Sequence, residues 1–309
     1  MITLPNFLII GAGKSGTTSL DYYLKQHPQV YLPEVKEPNF LAYETHTIDD
    51  FSDIETKNHY LESVTDFDEY KTLFDKATEG QRVGEVSNTT LYMPNAIASI
   101  KKYLKDPKLI AILRNPAERL ISRFMHLERV NKIPNTYLEE VFDQDSIWWQ
   151  RADLIKEGFY YQHLSKFYSS FNKDDIKVIL YSELKNDISS VLGGICTFLQ
   201  IDDTFEFDAS VIYNKSGKVK NKTVQQLIGD NSKLINWLKK IAPSIHKKLK
   251  NTKLLHTTIQ RLRNKNLGKS QIDIGFKEKI INNIYLDDIK ALEGLLNKDL
   301  SAWYQYPKE

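Results

Sequence analysis

The sequence predicts an α/β fold, one domain with a central parallel sheet flanked by helices. Three observations lead there. Short apolar runs, such as Phe7-Leu8-Ile9-Ile10 and the KLIAIL of 108–113, stop abruptly, as strands buried on both faces do. The first run passes into a Gly-rich turn and then into apolar residues at helical spacing, Leu20, Tyr23 and Leu24. That is the opening of a βαβ unit, and the same strand–helix alternation recurs down the chain.

Taken in order, 7–10 is a strand ended by Gly11, and the helix after it reaches His27-Pro28. Residues 83–86 form a second strand. A helix is expected over 94–105, with Pro94 acceptable in its first turn. Residues 108–113 are a strand, after which Asn115-Pro116 opens a helix to about Val130, with Asn as N-cap and Pro at the first helical position. A strand over 176–181 and a helix over 189–199 follow, the latter holding Gly193-Gly194 as a packing point or kink. Residues 224–262 are helical and Lys-rich, 268–275 is a loop, and 276–296 reads as two helices on Ile280, Ile284, Leu286, Ile289, Leu292 and Leu295. No linker or internal repeat interrupts this order, so 1–309 reads as one domain with a less recognisable helical segment at about 224–267.

Composition narrows the partners. With 42 Lys+Arg against 40 Asp+Glu the formal charge is only +2, without the dominant basic field of a nucleic-acid coat protein. A local pocket for one anion stays open. Cys196 is the single cysteine, so neither an intrachain disulfide nor a Cys-rich metal site exists. No run approaches the roughly 18 apolar residues of a membrane span. Met1-Ile2-Thr3-Leu4-Pro5 lacks the basic start of a signal peptide. A soluble, cytoplasmic protein is expected, with no nucleic-acid partner and no membrane span.

The turn Gly11-Ala12-Gly13-Lys14-Ser15-Gly16-Thr17-Thr18 is suited to an anion. Backbone N–H groups of such turns converge at the positive end of the following helix. Lys14 adds a mobile cation, and Thr17, Thr18 and Ser19 add hydroxyls. A Walker A loop needs Gly, four residues, then Gly-Lys-Ser/Thr. Gly13-Lys14-Ser15 fits the end of that pattern, but its first Gly falls on Leu8. An ATP- or GTP-dependent P-loop kinase also needs an acidic Mg²⁺ ligand at a strand end, whereas strand 108–113 runs into Arg114.

Residues 5–20, PNFLIIGAGKSGTTSL, resemble the opening of sulfotransferases that use 3′-phosphoadenosine-5′-phosphosulfate (PAPS), in particular the heparan-sulfate-type and bacterial carbohydrate branch. The resemblance implies the P-loop-NTPase-like sulfotransferase fold, PAPS as donor, adenosine 3′,5′-bisphosphate (PAP) as product and a carbohydrate acceptor; no metal is expected, because no His/Cys/carboxylate cluster at ligand spacing is visible. It implies that Gly13, Lys14, Ser15, Gly16, Thr17 and Thr18 bind the 5′-phosphosulfate, with Lys14 at the bridging oxygen. Leu113-Arg114-Asn115-Pro116-Ala117-Glu118-Arg119-Leu120-Ile121-Ser122 is similar to the family's 3′-phosphate motif, an Arg at a strand end and a Ser eight residues on. A guanidinium can grip phosphate bidentately, and Ser122 falls about two turns into the helix. Residues 158–164, 176–184 and 276–303 look like later blocks of the same family.

Sulfuryl transfer is an in-line displacement that needs a general base for the acceptor and cations for the leaving group. Lys36-Glu37-Pro38-Asn39-Phe40 resembles the family block Lys-Glu-Pro-His-Phe, whose Glu is the proposed base. Glu37 therefore takes that role, with Glu34 as a rival outside the motif and Asn39 as a departure from the pattern. His126 shares the helix face of Ser122 and is either an acceptor-side group or a structural histidine. Where the family often has Glu-Lys-Ser, this chain has Glu85-Val86-Ser87, so either Lys36 substitutes or the acceptor differs. The basic stretch 214–221 looks like the family's loop over the nucleotide, which would put Lys218 and Lys220 on the donor, with Gly268-Lys269-Ser270 as a weaker rival. Tyr43, Trp148, Trp149 and Tyr160 suit either sugar stacking or the core. Two further readings remain beside this one. A sulfotransferase of a lipid or small-molecule alcohol shares the same machinery, and a non-catalytic nucleotide sensor would have no use for Glu37.

Overall fold

A computed structural model of the chain describes residues 4–130, 137–209, 218–219, 267–268 and 273–306. Five parallel strands form the sheet: β1 (Phe7–Gly11), β2 (Val30–Tyr31), β3 (Arg82–Val86), β4 (Lys108–Leu113) and β5 (Ile176–Leu180), in the order β2-β3-β1-β4-β5. Helix α1 (Thr17–Leu24) follows β1. Between β2 and β3 lie α2 (Phe40–Tyr43), α3 (Ile54–Leu61) and α4 (Phe67–Thr72). Helix α5 (Ala96–Tyr103) leads from β3 to β4, and α6 (Pro116–Val130), α7 (Ile147–Gln150) and α8 (Tyr160–Ser170) lead on to β5. After β5 come α9 (Tyr181–Asn186) and α10 (Ile188–Leu199), then α11 (Ile274–Ile280), a π turn (Ile281–Tyr285) and α12 (Leu286–Leu296).

Alternation along β1 explains the two-sided burial. Phe7 and Ile9 face a layer with Leu20 and Leu24 of α1 and Leu192 and Ile195 of α10. Leu8 and Ile10 face the layer of Leu120 (α6), Leu164 (α8) and Ile289 (α12). Each buried Leu or Ile side chain is worth about 1.5–3 kcal/mol, so the apolar runs secure the sheet. At Gly84 the pairing of β3 with β1 leaves no room for a side chain. Its register partner is Phe7, and an added Cβ would sit 2.3 Å from Phe7 Cζ. Overpacking of this kind costs about 1–3 kcal/mol. Gly84→Ala is therefore expected to lower the melting temperature by roughly 2–10 °C; an unchanged melt would show that Phe7 moves freely.

Several expectations shift. The helix expected from Pro94 begins at Ala96. The strand expected to reach Tyr181 ends at Leu180, whose N–H donates to Glu183 Oε2 at 2.8 Å as α9 begins. The last two helices are joined through the π turn without a loop, which buries both Ile281 and Tyr285. Strand β2, two residues long, carried no apolar signal of its own. The Lys-rich segment 224–267 lies outside the described residues apart from Leu267, whose backbone pairs antiparallel with that of Val219, as Gly268 does with Lys218.

Candidate active site

The chain leaves β1 toward β2 and β3 on one side, then crosses to β4 and β5 on the other. Ligands of open parallel sheets bind at such a reversal, beyond the strand C-termini. There a cleft of about 550 Å³ is lined by Gly13, Lys14, residues 16–19, Lys36, Glu37, His59, Asn88, Arg123, His126 and Asp153, among others; the expected donor residues Ser15, Arg114 and Ser122 are not in its lining.

The turn after β1 needs its glycines. Gly16 has φ 111°, and a Cβ there would lie 3.2 Å from both Ile112 Cδ1 and Tyr181 Cδ2. Gly16 also precedes α1 as a cap without a side chain, and Ser19 and Leu20 N–H donate to its carbonyl, so the N–H groups of Thr17 and Thr18 are the ones left for a ligand. Ser15 and Thr17 are buried and Thr18 is half-buried at the cleft. Lys14 stands at φ 64°. Burial first, then Arg123, Arg129 and Lys36, lower its pKa to about 7, while Glu37 opposes the shift. A half-buried ammonium at the cleft wall, crowded by three cations, fits an anionic ligand, which would return the missing counter-charge.

Arg114, at the end of β4, reaches this turn. Its Nη1 donates to the Lys14 carbonyl at 3.4 Å, and the guanidinium lies 5.1 Å from the Tyr181 ring centre. Its Nη2 also pairs with Glu118 Oε2 at 3.0 Å, a partner one helical turn on that the sequence reading did not supply. Asn115 caps α6 as expected, accepting from Ala117 and Glu118 N–H at 3.1 and 3.2 Å. Ser122 is buried on α6. His126 lines the cleft, with its Nδ1 2.9 Å from Arg129 Nη2.

Glu37 faces the turn from across the cleft. Both Glu37 and Asn39 are left-handed, at φ 54° and 56°. The loop is held by Glu37 N–H donating to Val86 O at 3.1 Å and Asn39 Nδ2 donating to Glu37 O at 2.7 Å. Asn39 is only 2% exposed; its N–H donates to Ser87 Oγ, and its Oδ1 accepts from Thr89 Oγ1. The departure from the family's His thus serves the backbone that aims Glu37. The Glu37 carboxylate receives Asn88 Nδ2 at 3.0 Å and Lys36 Nζ at 3.2 Å. Lys36 also donates to Thr18 Oγ1, so one ammonium bridges the turn and the carboxylate. Val86 is core, and Glu34 is exposed outside the cleft.

Long-range partners escaped the sequence reading. The Gly13 N–H donates to Glu157 Oε1 at 2.6 Å, and Glu157 Oε2 pairs with Arg119 at 2.8 Å. Asp153 joins Arg123 and Arg151, which hold its carboxyl well below the usual range despite burial. Tyr43 OH lies 2.9 Å from His59 Nδ1 at the cleft wall. Arg119 and Gly158 sat in motifs already singled out, yet no spacing joins residue 13 to residue 157. Of the aromatics offered for sugar stacking, Trp148 and Tyr160 are fully buried core, Trp149 packs partly buried against that core, and Tyr43 lines the cleft. Only the backbone of Lys218 is described, in a two-residue strand beside α6, and Lys220 lies outside the described residues.

Comparison with known proteins agrees with this geometry. Residues 5–206 match the model of a family described as "Sulfotransferase family". The crystal structure of a sulfotransferase from Alicyclobacillus acidocaldarius is 26% identical with a TM-score of 0.69, over 98% of this chain and 100% of that one. The membrane-associated sulfotransferase kil1 of Dictyostelium discoideum is 35% identical over half of this chain and 30% of its own length. A bifunctional heparan sulfate N-deacetylase/N-sulfotransferase of Caenorhabditis elegans is 27% identical over 69% of this chain and 24% of its own length. The chain therefore spans less than a third of either relative. With more than half of its residues matched and a structural counterpart along its whole length, the chain belongs to the sulfotransferase family.

Proposed function

We propose that this chain transfers the sulfuryl group of PAPS to a hydroxyl or amine of a carbohydrate acceptor. The observation that carries the reading is the Lys36 bridge, which sets the Glu37 carboxylate against the glycine turn and Lys14 within one cleft. Bound PAPS supplies an activated sulfuryl group on a phosphate leaving group. Glu37 takes the proton of the acceptor, held in place by Asn88 and Lys36. Lys14 and the turn amides steady the charge that builds on the leaving oxygens. Lys36, which already reaches Thr18, stands in for the lysine absent at Val86. Arg114 exchanges Glu118 for the 3′-phosphate, with Ser122 beside it. The carbohydrate class is supported by a relative named for heparan sulfate. The cytoplasm as its setting belongs to the same reading.

The test compares nucleotides and acceptors. PAP is expected to raise the melting temperature well above the effect of ADP, because only PAP offers a 3′-phosphate. Labelled PAPS with a glycan panel is expected to give turnover that persists in EDTA. Equal shifts from ADP and PAP, or turnover of ATP restored by Mg²⁺, would overturn the reading in favour of a kinase.

A further inference from the structure

We infer that the buried Arg119–Glu157 pair is a positioning device for the glycine turn, holding Gly13 in its donor-binding shape before any donor arrives; this rests on the donor reading above. Arg119 is 0% and Glu157 3% exposed. Replacing a buried ion pair by apolar residues is often neutral or stabilising, so stability alone does not account for this one. Its geometry points at the turn. One carboxylate oxygen accepts from the Gly13 N–H at 2.6 Å, while the other meets Arg119 Nη1 at 2.8 Å. A Cβ on Gly13 would come to 3.0 Å of Glu157 Oε1, so a side chain there would press on the carboxylate that accepts from the amide.

The pair is anchored on both sides. Arg119 also donates to the carbonyls of Asp153, at 3.3 Å, and Leu154. Glu157 N–H donates to Ala152 O at 2.9 Å, and Tyr285 OH donates to Ile155 O at 2.9 Å. Thus α6 staples the 152–157 turn, and that turn holds the loop. The residue fixed next is Lys14, whose left-handed backbone persists only if its surroundings over-determine it. The Gly13 amide therefore belongs to Glu157 in the free and in the donor-bound enzyme. Ala12 and Ser15 N–H are also taken, by Ile112 O and Ala12 O, so the amides of Lys14, Gly16, Thr17 and Thr18 and the Lys14 ammonium are left to meet the donor.

Two double variants and one measurement on the wild type test this. Arg119→Met with Glu157→Leu removes the charges together, so neither is left buried alone, and removes the acceptor for Gly13. Arg119→Met with Glu157→Gln removes the charges but keeps an acceptor oxygen. In the Leu variant PAP affinity is expected to fall by roughly 10- to 100-fold, with the KM for PAPS rising and the acceptor KM unmoved. The Gln variant is expected to recover most of that loss. By NMR, the wild-type Gly13 amide should be shifted downfield and protected from exchange, and should stay so when PAP is added. A folded Leu variant with wild-type PAP affinity, or a Gly13 amide that exchanges as fast as an exposed one, overturns the inference. A protected Gly13 amide in a protein that binds no PAP would leave the clamp standing and remove the donor reading instead.

Discussion

Replacing Glu37 with Gln is expected to slow sulfuryl transfer by roughly 10²–10⁴-fold, the usual worth of general-base catalysis, while PAP affinity stays nearly unchanged. Gln keeps the shape of the side chain and can still accept from Asn88 and Lys36, which reach Glu37 Oε1 at 3.0 and 3.2 Å. The backbone is fixed independently, by Val86 O and by Asn39. What the variant loses is the ability to take a proton. A carboxylate beside an anionic donor does not help it bind, so the whole effect should fall on turnover. Turnover with labelled PAPS and calorimetry with PAP separate the two. Near-normal turnover would move the base role to an imidazole of the same cleft, His126 or His59.

Lys14→Ala is expected to act on both quantities. Removing one preorganised donor to a developing anion costs about 10²–10³ in turnover, and here the same ammonium also meets the donor in the ground state, so affinity drops too. The lowered pKa of Lys14 adds a pH signature with a definite sign. In the free protein Lys14 loses its proton as pH rises through about 7. A bound anion favours the charged form. Binding of PAP above that point must then take up a proton, and affinity should fall by up to about tenfold per pH unit between pH 7 and 9. Calorimetry in buffers of different ionisation enthalpy reads the uptake directly. In Lys14→Ala both the uptake and the slope should vanish; a wild-type affinity flat over that range would show that Lys14 is not the titrating contact.

What was legible in the sequence was whatever lies close along the chain. The glycine turn, the Arg114-to-Ser122 spacing and the alternating strands are local patterns; the structure brings Arg114 to the Lys14 carbonyl, while Ser122 lies buried on α6 outside the cleft lining. Glu37 was legible only through a motif, since a Pro-flanked acidic loop has no periodicity to read. Other parts of the cleft depend on contacts between residues far apart in the chain. Gly13 meets Glu157 across 144 positions, and Arg114 reaches the Lys14 carbonyl across 100. Aromatic residues were ambiguous for another reason. A Trp or Tyr side chain suits a core and a sugar face equally, and only the packing of Trp148 against Phe124 of α6 and of Tyr160 against Trp303 decides it.

The π turn changes how natural variation in this chain should be weighed. The match to the family stops at residue 206, yet Tyr285 crosses back to the carbonyl of Ile155 and packs against Gly158, on either side of Glu157. Asp288 then caps α8 through the N–H groups of Tyr161 and Gln162, and Trp303 O accepts from Asn115 at the head of α6. Residues 281–303, part of the 276–303 block that resembles the family in sequence, thus back the 152–157 turn that holds Gly13. A homologue that keeps the glycine turn but swaps Tyr285 for a smaller residue loosens the support of Glu157 from behind, and tolerance to substitution in this tail should track that of the glycine turn rather than that of a surface helix.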